Sequence, residues 1–242
     1  MATDIPRSHV FSRADWLNTP AGMARLQESG WVVIEDVPAA KAEVELALAR
    51  LGALQPQYSG LTFWDVIPKS PGKGTSIGDR ELSFHTELAE FADPPRYVAL
   101  YCLRPAVSGG ALKLLDLRPV LEALSAAKIS VLMQEPVTVY CEDEIARAHG
   151  NIAFTAPVLS RRDGQLAVRY DPPQIDASTP ASLRDFADRI LTLGEQHLAS
   201  FVQQAESLAI WDNWRIVHGR TAFEGTERHL WRCCVKPPTA PS

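Results

Sequence analysis

Residues 81–104 read E-L-S-F-H-T-E-L-A-E-F-A-D-P-P-R-Y-V-A-L-Y-C-L-R, and the two ends of this stretch ask for different surroundings. Residues 81–87 alternate in polarity, which predicts a strand with two unlike faces. Residues 97–103 form an unbroken apolar run, which predicts a central strand buried on both faces. Within the first strand His85 and Glu87 stand two apart. Residues i and i+2 of a strand project from one face, so an imidazole and a carboxylate lie side by side and can chelate one metal ion.

A third ligand has to come from elsewhere, and the best candidate is His218 in the strand-like segment R-I-V-H-G-R. Two histidines and one carboxylate on one face of an iron ion form the facial triad of non-haem iron(II) oxygenases. They leave three positions for a bidentate 2-oxo acid and O2. Further on, Arg228 and Arg232 stand four apart and share a face if the segment is extended. The planar fork of arginine makes paired, charge-assisted hydrogen bonds to carboxylates. The chain therefore offers three metal ligands and an anion clamp.

Outward from these segments, residues 12–30 predict a helix capped by Ser12 and stopped by Gly30, and residues 31–35 (W-V-V-I-E) a strand. Residues 40–51 predict a second amphipathic helix, and 55–80, rich in Gly, Pro and Ser, loops with short strands. Gly109-Gly110 reads as a turn leading to a strand at 111–115, and 117–127 as a short helix. Residues 137–140, 152–155 and 166–170 predict further strands. The longest helix spans about 180–203, with Thr179 as N-cap, Pro180 in the first turn and Leu183, Phe186, Ile190 and Leu193 on one face. Strands return at 207–211, 216–218 and 230–235. Few helices among many short strands fit a mainly β fold, an antiparallel sandwich or barrel with α-helices packed outside. Strand and helix do not alternate regularly, which argues against a doubly wound parallel sheet.

The 242 residues suffice for one domain with a substantial core, with about 1–10 and 237–242 as flexible termini. A net charge of −5 and no basic run argue against a nucleic-acid partner. No apolar stretch reaches the roughly 20 residues that span a bilayer, and residues 1–13 lack a signal-peptide core. The expectation is a cytoplasmic protein with no membrane partner. None of the four cysteines forms a C-x-x-C pair, and Cys233 and Cys234 would face opposite sides of a strand. Trp64, Trp211, Trp214 and Trp231 read as core residues, with Trp214 also a candidate to line a pocket. His149 and His197 read as structural or surface residues, and Glu142-Asp143-Glu144 as a solvated acidic loop.

Taken together, three blocks resemble the clavaminate synthase-like branch of the taurine dioxygenase superfamily. They are residues 81–104, the W-D-N-W-R-I-V-H-G-R-T-A-F of 211–223, and the R-x-x-x-R of Arg228 and Arg232, with Gly109-Gly110 in family order. The resemblance implies a double-stranded β-helix, a jelly-roll or cupin-like barrel. It implies Fe(II) held by His85, Glu87 and His218, the distal carboxylate of the cosubstrate 2-oxoglutarate on Arg228, and an acidic substrate group on Arg232. Many relatives carry a threonine after the double glycine. Here Ala111, Leu112 and Lys113 follow, so Lys113 is the candidate to replace it at the 2-oxoglutarate site. Related halogenases lack the carboxylate, so Glu87 implies hydroxylation, desaturation or cyclisation instead. The implied substrate is a small amino acid or derivative, as in natural-product biosynthesis. The chain is shorter than many relatives, so the expected lid over the substrate is either reduced or supplied by a second subunit of a homo-oligomer. The alternative is a non-catalytic small-molecule-binding or structural member of the same fold.

Overall fold

The structure, a computed structural model, describes residues 5–69, 71–141, 153–171 and 180–238, without the side chains of 193–196. The N-terminal third carries β1 (Val10–Ser12), α1 (Arg13–Asn18), α2 (Ala21–Ser29), β2 (Trp31–Glu35), α3 (Lys41–Leu48), β3 (Ala53–Gln55) and β4 (Phe63–Val66). The middle carries β5 (Leu82–His85), β6 (Tyr97–Arg104), β7 (Ser108–Gly109), β8 (Leu112–Asp116), α4 (Arg118–Glu122), α5 (Ala126–Leu132) and β9 (Pro136–Tyr140). Then follow β10 (Ala153–Pro157), β11 (Leu159–Arg162), β12 (Gln165–Val168), α6 (Ala181–His197), β13 (Leu198–Phe201), β14 (Leu208–Asp212), β15 (Ile216–Arg220), β16 (Phe223–Glu224) and β17 (His229–Lys236).

Two sheets dominate. The larger has the order β1-β2-β14-β6-β17-β3, with β4 also on β17, and the smaller has the order β13-β8-β15-β5. They pack face to face, because one apolar cluster draws Val33, Val98, Leu100 and Trp211 from the larger sheet and Leu112, Leu114, Phe201 and Ile216 from the smaller. The outer face of the larger sheet (Ile34, Ala99, Tyr101, Ile210) packs on α1–α3 through Trp16, Leu26, Val44 and Leu48. The outer face of the smaller sheet (Leu115, Val217) packs on α4–α6 through Val120, Leu121, Phe186 and Ile190. The protein is thus mainly β with flanking helices. Strand β6 sends alternate residues into two different cores, so it is apolar from Tyr97 to Leu103. Cys233 and Cys234 divide the same way, and all four cysteines are buried with no disulfide among the described residues.

Several boundaries differ from the sequence reading, each for a local reason. The helix expected over 12–30 is two. Ser12 does cap the first, accepting from Asp15 N at 3.0 Å, but the chain breaks at Thr19-Pro20, because proline excludes its predecessor from helical backbone. The short helix near 117–127 likewise splits, and Ser125 caps the second piece. The long helix ends at His197, where the chain turns extended and β13 pairs antiparallel with β8. Strand β11 lay in no expected element. His149, the acidic run Glu142 to Glu144 and the Thr179 cap lie outside the described residues. Among the described residues no helix is long and apolar enough to cross a membrane.

Candidate metal centre

The smaller sheet brings the candidate ligands together. β15 runs antiparallel to β5 with His218 directly opposite His85, and the two rings stand 4.2 Å apart between centroids. The strand hydrogen bonds end at His85. Glu87 therefore reaches the site from a turn, not from the strand expected over 81–87, and Leu88 follows it with φ +54°. One ligand atom each from His85, Glu87 and His218 lie within 4.8 Å of one another. His218 Nε2 is 3.5 Å from Glu87 Oε2. His85 Nδ1 lies 2.9 Å from the Ser83 carbonyl. A carbonyl only accepts, so this contact puts the proton on Nδ1 of the neutral ring and leaves Nε2 with a free lone pair. Trp211 packs beside the His218 ring, 4.7 Å between centroids.

Arg232 lies on the inner face of β17 and donates from Nη1 to Glu87 Oε1 at 2.6 Å and from Nε to Gln57 Oε1 at 2.8 Å. Gln57 returns a bond from Nε2 to the Arg232 carbonyl at 3.0 Å. Burial raises the Glu87 carboxyl, but Arg232 and the two imidazoles outweigh it and hold the group well below the usual carboxylate range. Burial likewise lowers Arg232, and Glu87 more than compensates. The His85 imidazole is lowered by burial and then by His218, which favours the neutral, metal-binding form. Among the described residues His218 Nδ1 and Arg232 Nη2 are buried with no hydrogen-bond partner.

His85, Glu87, His218 and Arg232 line one cavity, and two further arginines share it. Arg228 and Arg220 both line it and both are buried. Among the described residues no carboxylate pairs with Arg228, and its guanidinium sits 5.2 Å from the Phe223 ring. Burial and the neighbouring Arg220 pull its pKa down to about 9, so it stays cationic at neutral pH. Arg220, which the sequence reading passed over, donates from Nη2 to the Gly78 carbonyl at 3.0 Å and the Arg80 carbonyl at 2.6 Å. Its signal was there to read: it stands two residues after His218 on one strand and so shares its face. Val66, Leu82, Leu100 and Leu112 complete the walls.

Lys113 is not at this site. Leu112 takes the inward position on β8, and Lys113 points the other way, where it pairs with Glu81 and lies 4.8 Å from the Phe84 ring. Side chains alternate along a strand, so a one-residue error puts the wrong neighbour inside. Trp214 is buried under Arg96 and Arg162, at 4.9 and 5.6 Å, and does not line the cavity.

With this geometry in hand, comparison with known proteins gives a consistent picture. The family described as taurine catabolism dioxygenase TauD, TfdA matches residues 7–234. Human gamma-butyrobetaine dioxygenase is 27% identical over 233 residues, 89% of this chain and 58% of its own length. L-Asparagine oxygenase of Streptomyces coelicolor is 31% identical over 197 residues, 76% of this chain and 57% of its own. The chain thus spans under two thirds of these relatives. A crystal structure of asparagine oxygenase superposes with a TM-score of 0.70 at 25% identity, covering 93% of this chain and 81% of that one. The non-heme iron oxygenase OrfP, in complex with Fe and alpha-ketoglutaric acid, superposes with a TM-score of 0.67 at 22% identity, covering 88% and 78%.

Proposed function

The chain belongs to the taurine catabolism dioxygenase TauD, TfdA family, and from that premise we propose that it is an iron(II)- and 2-oxoglutarate-dependent oxygenase. It acts on an unactivated C–H bond of a small amino acid or amino-acid derivative. One observation carries the reading: a His–Glu–His donor set and a buried guanidinium, which no carboxylate among the described residues pairs, share one cavity. Two imidazoles and one carboxylate suit iron(II) and leave coordination positions open. Buried cations are normally paired, so Arg228 is built for an anion brought from outside. Asparagine oxygenase has been solved with Fe(II), 3-hydroxyasparagine and succinate, a precedent for the proposed chemistry in a protein of the same fold.

On this reading His85, Glu87 and His218 hold the iron, and Arg228 grips the distal carboxylate of 2-oxoglutarate. Iron, 2-oxoglutarate and O2 together supply the oxidising power that breaks the C–H bond and leaves succinate and carbon dioxide. The protein contributes positioning and charge. Arg220 adds a second positive charge at the diacid end. Leu112 presents only hydrocarbon there, so the grip falls to the guanidinium. Arg232 keeps Glu87 ionised, and its unpaired Nη2 is the donor that meets an acidic group of the substrate. The apolar walls exclude water from between these charges, which strengthens each contact. The facing sheets are, on the same reading, the two halves of a double-stranded β-helix forming one domain. We place the protein in the cytoplasm, in natural-product biosynthesis, with neither nucleic acid nor membrane as partner. The acidic net charge supports the exclusion of nucleic acid.

The test is succinate formation by the purified protein with Fe(II), 2-oxoglutarate, O2 and a broad panel of amino acids. Succinate above the no-enzyme control, stimulated by one or more substrates, is the expected result. Ligand binding with no succinate across the panel would instead identify a non-catalytic binding protein of this fold.

A further inference from the structure

We propose that Asn213 is the positioning residue of the metal centre, fixing the Glu87 ligand through its peptide while touching neither metal nor substrate. The inference rests on the metal-site reading above and goes beyond it. The β5 ladder ends at His85, so the peptide of Glu87 enters a buried turn with no strand partner of its own. Buried N–H and C=O groups have to be satisfied, and here one side chain does it on both sides. Asn213 Oδ1 accepts from Glu87 N at 2.7 Å, and Nδ2 donates to the Glu87 carbonyl at 3.1 Å. A further bond from Nδ2 reaches the Pro95 carbonyl at 3.1 Å, at the far end of the same loop.

Asn213 is itself tightly held. It is buried, its N–H donates to the Arg96 carbonyl at 2.6 Å, and Asp212 Oδ1 accepts from Trp214 N at 3.1 Å to close the turn. That turn joins β14 to β15, and β15 carries His218. A single eight-residue segment, 211–218, therefore supplies one ligand and the clamp on another. Only a side chain with an acceptor and a two-hydrogen donor fits both roles at once. Aspartate keeps the acceptor but sets a buried carboxylate oxygen against both carbonyl oxygens, and alanine loses all three bonds. Asn213 is absent from the cavity lining, so its effect on the metal has to pass through Glu87.

The experiment is anaerobic titration of the full chain with Fe(II) by calorimetry, together with the visible absorption bands of the Co(II) form. The comparison set is wild type, Asn213→Ala, Asn213→Asp and Leu48→Ala. Leu48 lies in the core on the far side of the larger sheet and controls for simple loss of stability. Partners that orient a metal ligand typically cost about 10–100-fold in affinity when removed. Asn213→Ala is expected to bind Fe(II) that much more weakly and to shift the Co(II) bands. Asn213→Asp, with its carboxylate against two carbonyl oxygens, is expected to bind at least as weakly, and Leu48→Ala binds as wild type does. If Asn213→Ala does not fold, Asn213→Asp carries the test. Wild-type affinity and spectrum in the Asn213 variants, or an equal loss in Leu48→Ala, would overturn the assignment while leaving the metal site standing. No Fe(II) binding by the wild type would overturn the metal reading, and this inference with it.

Discussion

Arg228 and Lys113 separate what could be read from the sequence from what could not. The grouping of His85, Glu87 and His218 was legible from ligand chemistry, although Glu87 comes from a turn and not from the expected strand, and the structure brings the three within 4.8 Å. The choice between Leu112 and Lys113 was not legible, since a one-residue error in register reverses every side chain. The contrast is testable. A buried charge-assisted pair contributes roughly 1.5–3 kcal/mol, so Arg228→Met is expected to weaken 2-oxoglutarate binding by about 10–100-fold. Lys113→Met should leave it unchanged, because that ammonium faces Glu81. Both constants can be read by titrating 2-oxoglutarate into the Fe(II)-loaded protein without O2. Equal effects from the two substitutions would contradict the assignment.

Element boundaries were legible where a proline, a cap or an alternation marks them and illegible where tertiary pairing decides. Residues 198–201 continue a helical-looking sequence, yet β8 recruits them as a strand. The pairing of β5 with β15 depends on a missing side chain. A Cβ on Gly219 would come within 2.6 Å of the Leu82 carbonyl, so the two strands would have to part and carry His85 away from His218. Gly219→Ala is expected to cost roughly 1–3 kcal/mol, as overpacking does, and to weaken metal binding. A thermal melt and a metal titration check the two effects. A second prediction concerns the loop after Glu87, where Asp93 pairs with Arg162 at 2.7 Å and Lys236 at 2.5 Å. Burial raises the Asp93 carboxyl, but Lys236 and Arg162 outweigh it and hold it below its ordinary value. A carboxyl lowered on folding stabilises above its unfolded pKa of about 3.9 and loses that contribution as pH falls through the folded value. Asp93→Asn should therefore lower the melting temperature slightly at pH 7, the pairs being half exposed, and the difference from wild type should shrink as pH falls below about 4.

At the scale of the whole molecule, composition and strand count pointed to a mainly β fold with outer helices, and the continuous run of β6 to its central place. Sheet order was not legible. Nothing local tells β14 to sit between β2 and β6, because these neighbours pair across long separations in sequence. The cavity lies between the sheets, bordered by residues of both: Leu112, His218 and Gly219 from the smaller, Leu100 and Arg232 from the larger. Ligands that bridge them should stabilise the fold as a unit, by about 2.7 kcal/mol at a hundredfold excess over Kd, with a rise in melting temperature that a chelator reverses. The most direct test is the stoichiometry of Fe(II) binding, measured without O2 in wild type and His218→Ala. His218 is far in sequence from the other two ligands and meets them only if the sheets fold as described. One tightly bound ion per chain in wild type and none in His218→Ala is the predicted result. One tightly bound ion in both would contradict the site.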